Sequence, residues 1–187
     1  MKDFSMYEYA SGAAAESSAI EDLGDVSNLS RRDFDERGTF VFRSQVPCLE
    51  YLSLLIENAV LLRTNRAGRI YAGFQKLSRM EAVVDRYLRM ADISERVYVF
   101  GVADWTPPRH PNMRLIGVAE NSKLSREWFV IADSPSVRVA LVAHEEDEFD
   151  TPQTEARWFR ALKTSDPVLI AHFAAAAEDL VDASLAA

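Results

Sequence analysis

The chain has 187 residues, 48% of them apolar and 27% charged, with one cysteine and a formal net charge of −8. These values fit one globular domain whose core needs no disulfide, and the acidic balance argues against direct nucleic-acid binding. No apolar run approaches the ~20 residues of a membrane span, and "MKDFSMYEYAS" lacks the apolar block of a secretory signal, so a cytoplasmic protein without membrane attachment is expected.

Residues 1–36 read as a tail, rich in Ser, Ala, Asp and Glu and without clear periodicity. Such composition reads as disordered or partner-dependent, with a weak helix at most over Ala14 to Leu23. Residues 37–187 then form the single domain. "TFVFRS" (39–44) reads as a short strand, and Pro47 suits the first turn of a helix that runs to about Leu62. That helix is apolar on most of its circumference. Glu50, Ser53 and Glu57 fall at i, i+3 and i+7 and share one face. The stripe, with Asn58 beside it, is either a solvent edge or one wall of a ligand cavity.

"RIYAGF" (69–74) alternates and predicts a half-buried strand, with Ile70, Ala72 and Phe74 on one side. "SRME" (78–81) fits a capping box, with Ser78 as N-cap and Glu81 three residues on. The helix that follows runs to about Met90. "RVYVFG", "MRLIGVA", "EWFVIA" and "VRVALVA" predict further strands, the last two joined as a hairpin through Asp133 to Ser136. "DWTPPRHPN" is a proline-stiffened loop. "QTEARWFRALK" reads as helical or mixed. Asp166 as N-cap and Pro167 at N1 open a final helix. The expected fold is α+β, a single domain with a mixed or antiparallel sheet of four to six strands and about three main helices.

No HExxH, GxSxG or Walker-type loop is present, and seven glycines leave no glycine-rich phosphate cradle. The histidines, His110, His144 and His172, stand apart in sequence, and no metal-ligand spacing is found. Cys48 reads as a small core residue. The charge is segregated: residues 63–96 carry eight bases against four acids, while 144–157 carry six acids against one base. Within "RTNRAGRIYAGFQKLSRM", Arg63 suits a helix end, and Arg66 and Arg69 flank Gly68 as candidate contacts for an anionic ligand. Trp105 and His110 on the proline loop are a candidate lid.

The ordered motifs "LIEN", "AGFQ", "RYLRMAD", "VYVFG", "EWFVIA", "VALVA" and "RWFRALKTSDP" together resemble the DICT sensory domain over roughly residues 40–183. The positions that carry the pattern are Glu57, Phe74, Gln75, Arg86, Tyr87, Phe100, Glu127, Trp128, Thr164 and Asp166. The resemblance implies an α+β sensory domain of signalling proteins, and brings no catalytic residue or ligand with it. Relatives are typically fused to cyclic-dinucleotide enzymes, histidine kinases or DNA-binding regulators. No such output domain is expected in this chain, so the expected output partner is one of these proteins in trans.

The expectation is thus a non-enzymatic sensory domain for a small ligand or partner protein, with Glu57, Asn58, Arg66, Arg69, Gln75, Trp105 and His110 as its input surface. No cofactor is named by the sequence, and a bound chromophore stays open. The last helix, with Ile170, Phe173, Leu180 and Val181 on or near one stripe, is a candidate dimer or docking helix. Two alternatives stay open: a ligand-free scaffold for a signalling complex, and a small enzyme with a non-local site.

Overall fold

A computed structural model describes residues 3–17, 20–62, 67–146 and 154–186. Strand alternation builds its centre. β2 (Phe40–Gln45) buries Phe40, Phe42 and Ser44 and leaves the residues between them half-buried. β3 (Arg69–Lys76) pairs antiparallel with β6 (Glu127–Asp133) and parallel with β4 (Arg96–Val102), so it lies inside the sheet. Ile70 and Ala72 enter one core and Tyr71 the other. The expected half-buried strand is therefore covered on both faces. β5 (Met113–Gly117) extends the parallel pairing beyond β4, and β7 (Arg138–Glu145) forms the expected hairpin with β6.

β8 (Trp158–Thr164) makes the last part of "QTEARWFRALK", read as helical or mixed, a strand. Arg, Ala, Leu and Lys favour helix, yet pairing with both β2 and β7 overrides that local preference. With β1 (Glu21–Asp25), the described residues form one eight-stranded mixed sheet in the order β1-β2-β8-β7-β6-β3-β4-β5. They also form five α-helices, more of both elements than the sequence suggested.

The helices cover the two faces separately. α2 (Arg31–Glu36), α3 (Val46–Leu61) and α4 (Val84–Ile93) pack on one core. α1 (Met6–Ser17) and α5 (Pro167–Leu185) pack on the other. The stretch expected to be a tail thus carries α1, β1 and α2. α1 buries Met6, Ala10 and Ala14, spaced by four residues and so on one face, among core residues that include the alanines of α5. The α5 stripe of Ile170, Phe173, Leu180 and Val181 is buried in the same core, so it is not an open docking surface. Asp166 caps α5 as expected, its Oδ1 accepting from the N–H of Val168 at 2.8 Å.

The expected capping box does not form. A 3-10 helix, Leu77–Val83, intervenes before α4, and the Ser78 N–H and hydroxyl both donate to the Asp104 carboxylate, at 2.9 and 2.6 Å. Before this turn, the β3–β4 register shifts between Gly73 and Lys76. There Gln75 takes φ +61°, a left-handed conformation uncommon for a residue with a side chain. Among the described residues, no helix is long and apolar enough to cross a membrane.

Candidate functional site

A cavity of about 400 Å³ opens between α3, the Leu77–Val83 turn and the sheet, within the usual range for small-molecule sites. α3 turns its polar stripe, Glu50, Ser53 and Glu57, into this space, so the stripe is a cavity wall. The helix has that choice because its other faces are apolar and bind the core. Phe74 of β3 and Trp128 of β6 face each other in register and supply much of the floor. Leu54, Ala82 and Val83 add apolar surface, and Arg79 and Arg157 also line it. The Trp128 indole N–H donates to the Ser53 hydroxyl at 3.1 Å, tying floor to roof.

One polar cluster is centred on Glu57. Arg86 donates through Nε to its Oε2 at 2.9 Å, and the Tyr87 hydroxyl donates to its Oε1 at 3.1 Å. Burial pushes the Glu57 carboxyl above its ordinary range, while Arg86 and Tyr87 pull it back. Arg86 also reaches the Asn58 side-chain oxygen at 2.5 Å, and Tyr87 meets Phe74 edge-on with ring centroids 5.1 Å apart.

The second cluster contains the left-handed Gln75. Its amide nitrogen donates to Glu145 at 2.7 Å, and its amide oxygen accepts from Arg79. Arg157 donates to both Glu145 oxygens, at 3.0 and 3.1 Å. Burial, then the neighbouring charge of Arg157, lowers the pKa of Arg79, with Glu145 and Asp104 opposing.

The residues singled out from sequence divide clearly. Glu57 lines the cavity; Asn58 and Gln75 stand behind it, bound to Arg86 and to Arg79 and Glu145. Arg69 lies elsewhere, paired with Glu95 at 3.0 Å and with Glu178 of α5 at 2.7 Å, where it also meets the Tyr71 network. Trp105 packs partly buried against the core. His110 Nε2 lies 3.0 Å from Asp92 Oδ1, and its Nδ1 accepts from the Asn112 N–H. Neither Trp105 nor His110 lines the cavity, so the proline loop is not its lid. Arg63 and Arg66 lie outside the described residues. Sequence reasoning passed over Arg79, Arg157 and Glu145, because nothing local joins Gln75 to an acid 70 residues away.

The model of the family described as "Sensory domain in DIguanylate Cyclases and Two-component system", DICT, matches residues 46–146. The chain belongs to the DICT family. The matched segment holds every lining residue of the cavity except Arg157. The DICT motifs "LIEN", "AGFQ", "RYLRMAD" and "EWFVIA" all converge there, through Glu57, Phe74, Tyr87 and Trp128. No curated protein matches the chain.

Among solved structures it is similar to the polyphosphate kinase of Porphyromonas gingivalis, at 10% identity and TM-score 0.47, covering 78% of this chain and 27% of the kinase. The DICT chain thus matches only about a quarter of that protein's length. It is also similar to Nuc, a phospholipase D family member of Salmonella typhimurium, at 16% identity and TM-score 0.39, covering 77% and 95%.

Proposed function

We propose that this DICT domain senses a small ligand in the cavity under α3 and regulates an output protein in trans, without catalysing a reaction. The observation that carries the reading is the cavity itself, a mostly apolar space of about 400 Å³ with a few converging polar groups, built almost wholly from the family segment. The family's description, with its diguanylate cyclases and two-component systems, supports a histidine kinase, a cyclic-dinucleotide enzyme or a transcription regulator of such systems as the partner.

A route to the opposite face exists in β6. Trp128 meets the cavity, while the adjacent Glu127 faces the other side, where it accepts from the Met6 N–H at 2.8 Å. A ligand that shifts Trp128 would strain this contact and change how α1 sits.

The test is a thermal-shift screen of small molecules on the full chain, repeated with Ala82→Trp. Ala82 is exposed yet lines the cavity, so the indole fills the space without entering the core. A compound that raises Tm in the parent and not in the variant supports the reading. No stabilising compound, or shifts that survive in the variant, would remove it.

A further inference from the structure

The charges around the cavity are unevenly matched. At Glu57 the carboxylate already has its own cation, Arg86, together with the Tyr87 hydroxyl. At the other cluster, Arg79 is half-buried on the cavity wall, and among the described residues its one hydrogen bond goes to the neutral amide oxygen of Gln75. The nearby carboxylate of Glu145 receives the Gln75 amide nitrogen and Arg157. Glu145 and Asp104 act on Arg79 through their charge, yet neither accepts a hydrogen bond from it, so among the described residues this half-buried guanidinium lacks a bonded anion. A planar anion is the group that completes it, because the guanidinium fork matches a carboxylate bidentately.

The remaining surroundings limit that anion. The walls are largely apolar, with Leu54, Phe74, Val83 and Trp128 against the space. Glu50 lines the cavity and is coupled to Glu155, which raises its pKa after the larger effect of burial. A second negative charge on the ligand would meet these acids, and the whole chain carries a net −8. One charge at one end of an apolar body fits; a polyphosphate does not.

We infer that the cavity takes a small aromatic or aliphatic monocarboxylate, its apolar body over the floor of Phe74 and Trp128 and its carboxylate on Arg79. This rests on the reading of the cavity as a ligand site. Binding forms no covalent bond and needs no co-reactant.

Isothermal titration of the full chain with 1-naphthylacetate, 1-naphthylacetamide and 1-naphthylmethylamine keeps the apolar body nearly constant and changes the end group. The carboxylate is expected to bind about tenfold or more tightly than the amide, as a charge-assisted hydrogen bond requires. Arg79→Gln is expected to abolish that preference while the amide still binds. Arg79→Lys, which keeps charge and loses the planar fork, is expected to retain only part of it, and serves if Arg79→Gln does not fold.

An amide or amine that binds as tightly as the carboxylate, or a preference unchanged in both variants, overturns the inference and leaves the small-ligand reading standing. Binding by none of the three also overturns it. The small-ligand reading falls separately, if the thermal-shift screen finds no stabilising compound or its shifts survive in Ala82→Trp.

Discussion

The Glu127 carboxylate of β6 accepts a hydrogen bond from the backbone N–H of Met6 at 2.8 Å, and so fixes the first turn of α1 to the centre of the sheet. Ser5 donates its hydroxyl to the same carboxylate. A negative group suits a helix N-terminus, where backbone N–H groups lack partners within the helix. Burial nevertheless dominates. It pushes the Glu127 carboxyl up to about 7 from an ordinary 4.5, against the Ser5 and Met6 hydrogen bonds that lower it.

The direction of the pH effect follows. Between 4.5 and about 7 the folded chain holds a proton that the unfolded chain has released. Glu127 therefore lowers stability progressively as pH rises through that window, and its effect levels off above it. Glu127→Gln keeps an acceptor for Met6 and removes the titration. Urea unfolding is expected to give wild type and variant similar midpoints near pH 5, with the variant gaining relative to wild type by pH 8. An equal offset at both pH values would show that Glu127 does not titrate in this range.

Glu57 is the second buried acid, and its removal is expected to act differently. Glu57→Ala leaves the buried Tyr87 hydroxyl and the half-buried Arg86 without their carboxylate. Breaking one side of such a pair costs about 3 kcal/mol. Tyr87→Phe leaves Glu57 with Arg86 and is expected to cost about 1 kcal/mol. Chemical denaturation of both variants checks the order, and equal losses would contradict it.

Gly73 leaves room for the ring of Phe129, its cross-strand partner on β6. A Cβ built there would lie 2.3 Å from Cε1 of Phe129, a fully buried ring. Gly73→Ala is expected to destabilise by about 1–3 kcal/mol through overpacking. Phe129→Leu in the same chain is expected to recover part of the loss, a non-additivity that a double-mutant cycle measures.

Ala82→Trp separates binding from folding. Because Ala82 is exposed, its substitution is expected to change stability by no more than about 0.5 kcal/mol, while abolishing any ligand-dependent rise in Tm. A variant that unfolds at much lower urea would mean that the Ala82 site belongs to the core.

The sequence carried the parts of this fold that local chemistry controls. Alternation located β3, β4, β6 and β7, and Asp166 followed by Pro167 located the start of α5. α1 escaped because its buried positions include Ala10 and Ala14, too small to give an apolar stripe, and their burial depends on α5 far along the chain. β8 escaped because residues that favour helix were overruled by partners on both sides. Ser78 offered the residue type of an N-cap, but Asp104 from a distant loop took its hydrogen bonds.

The cavity was half legible for the same reason. Spacing places Glu50, Ser53 and Glu57 on one face of α3, and tertiary packing decides whether water or Phe74 and Trp128 lie opposite. Of the two arginines that flank Gly68, only Arg69 lies among the described residues. Arg69 ended on α5, whereas Arg79, read as part of a cap, came to the cavity wall.

The most direct measurement is an amide and indole NMR titration of the full chain with 1-naphthylacetate. The expected result is a saturable set of shifts at Ser53, Phe74, the Trp128 indole and Arg79, absent in Ala82→Trp, with little change at Arg69 and His110. Shifts centred on Arg69 or His110, or the same shifts in Ala82→Trp, would contradict a sensory site under α3.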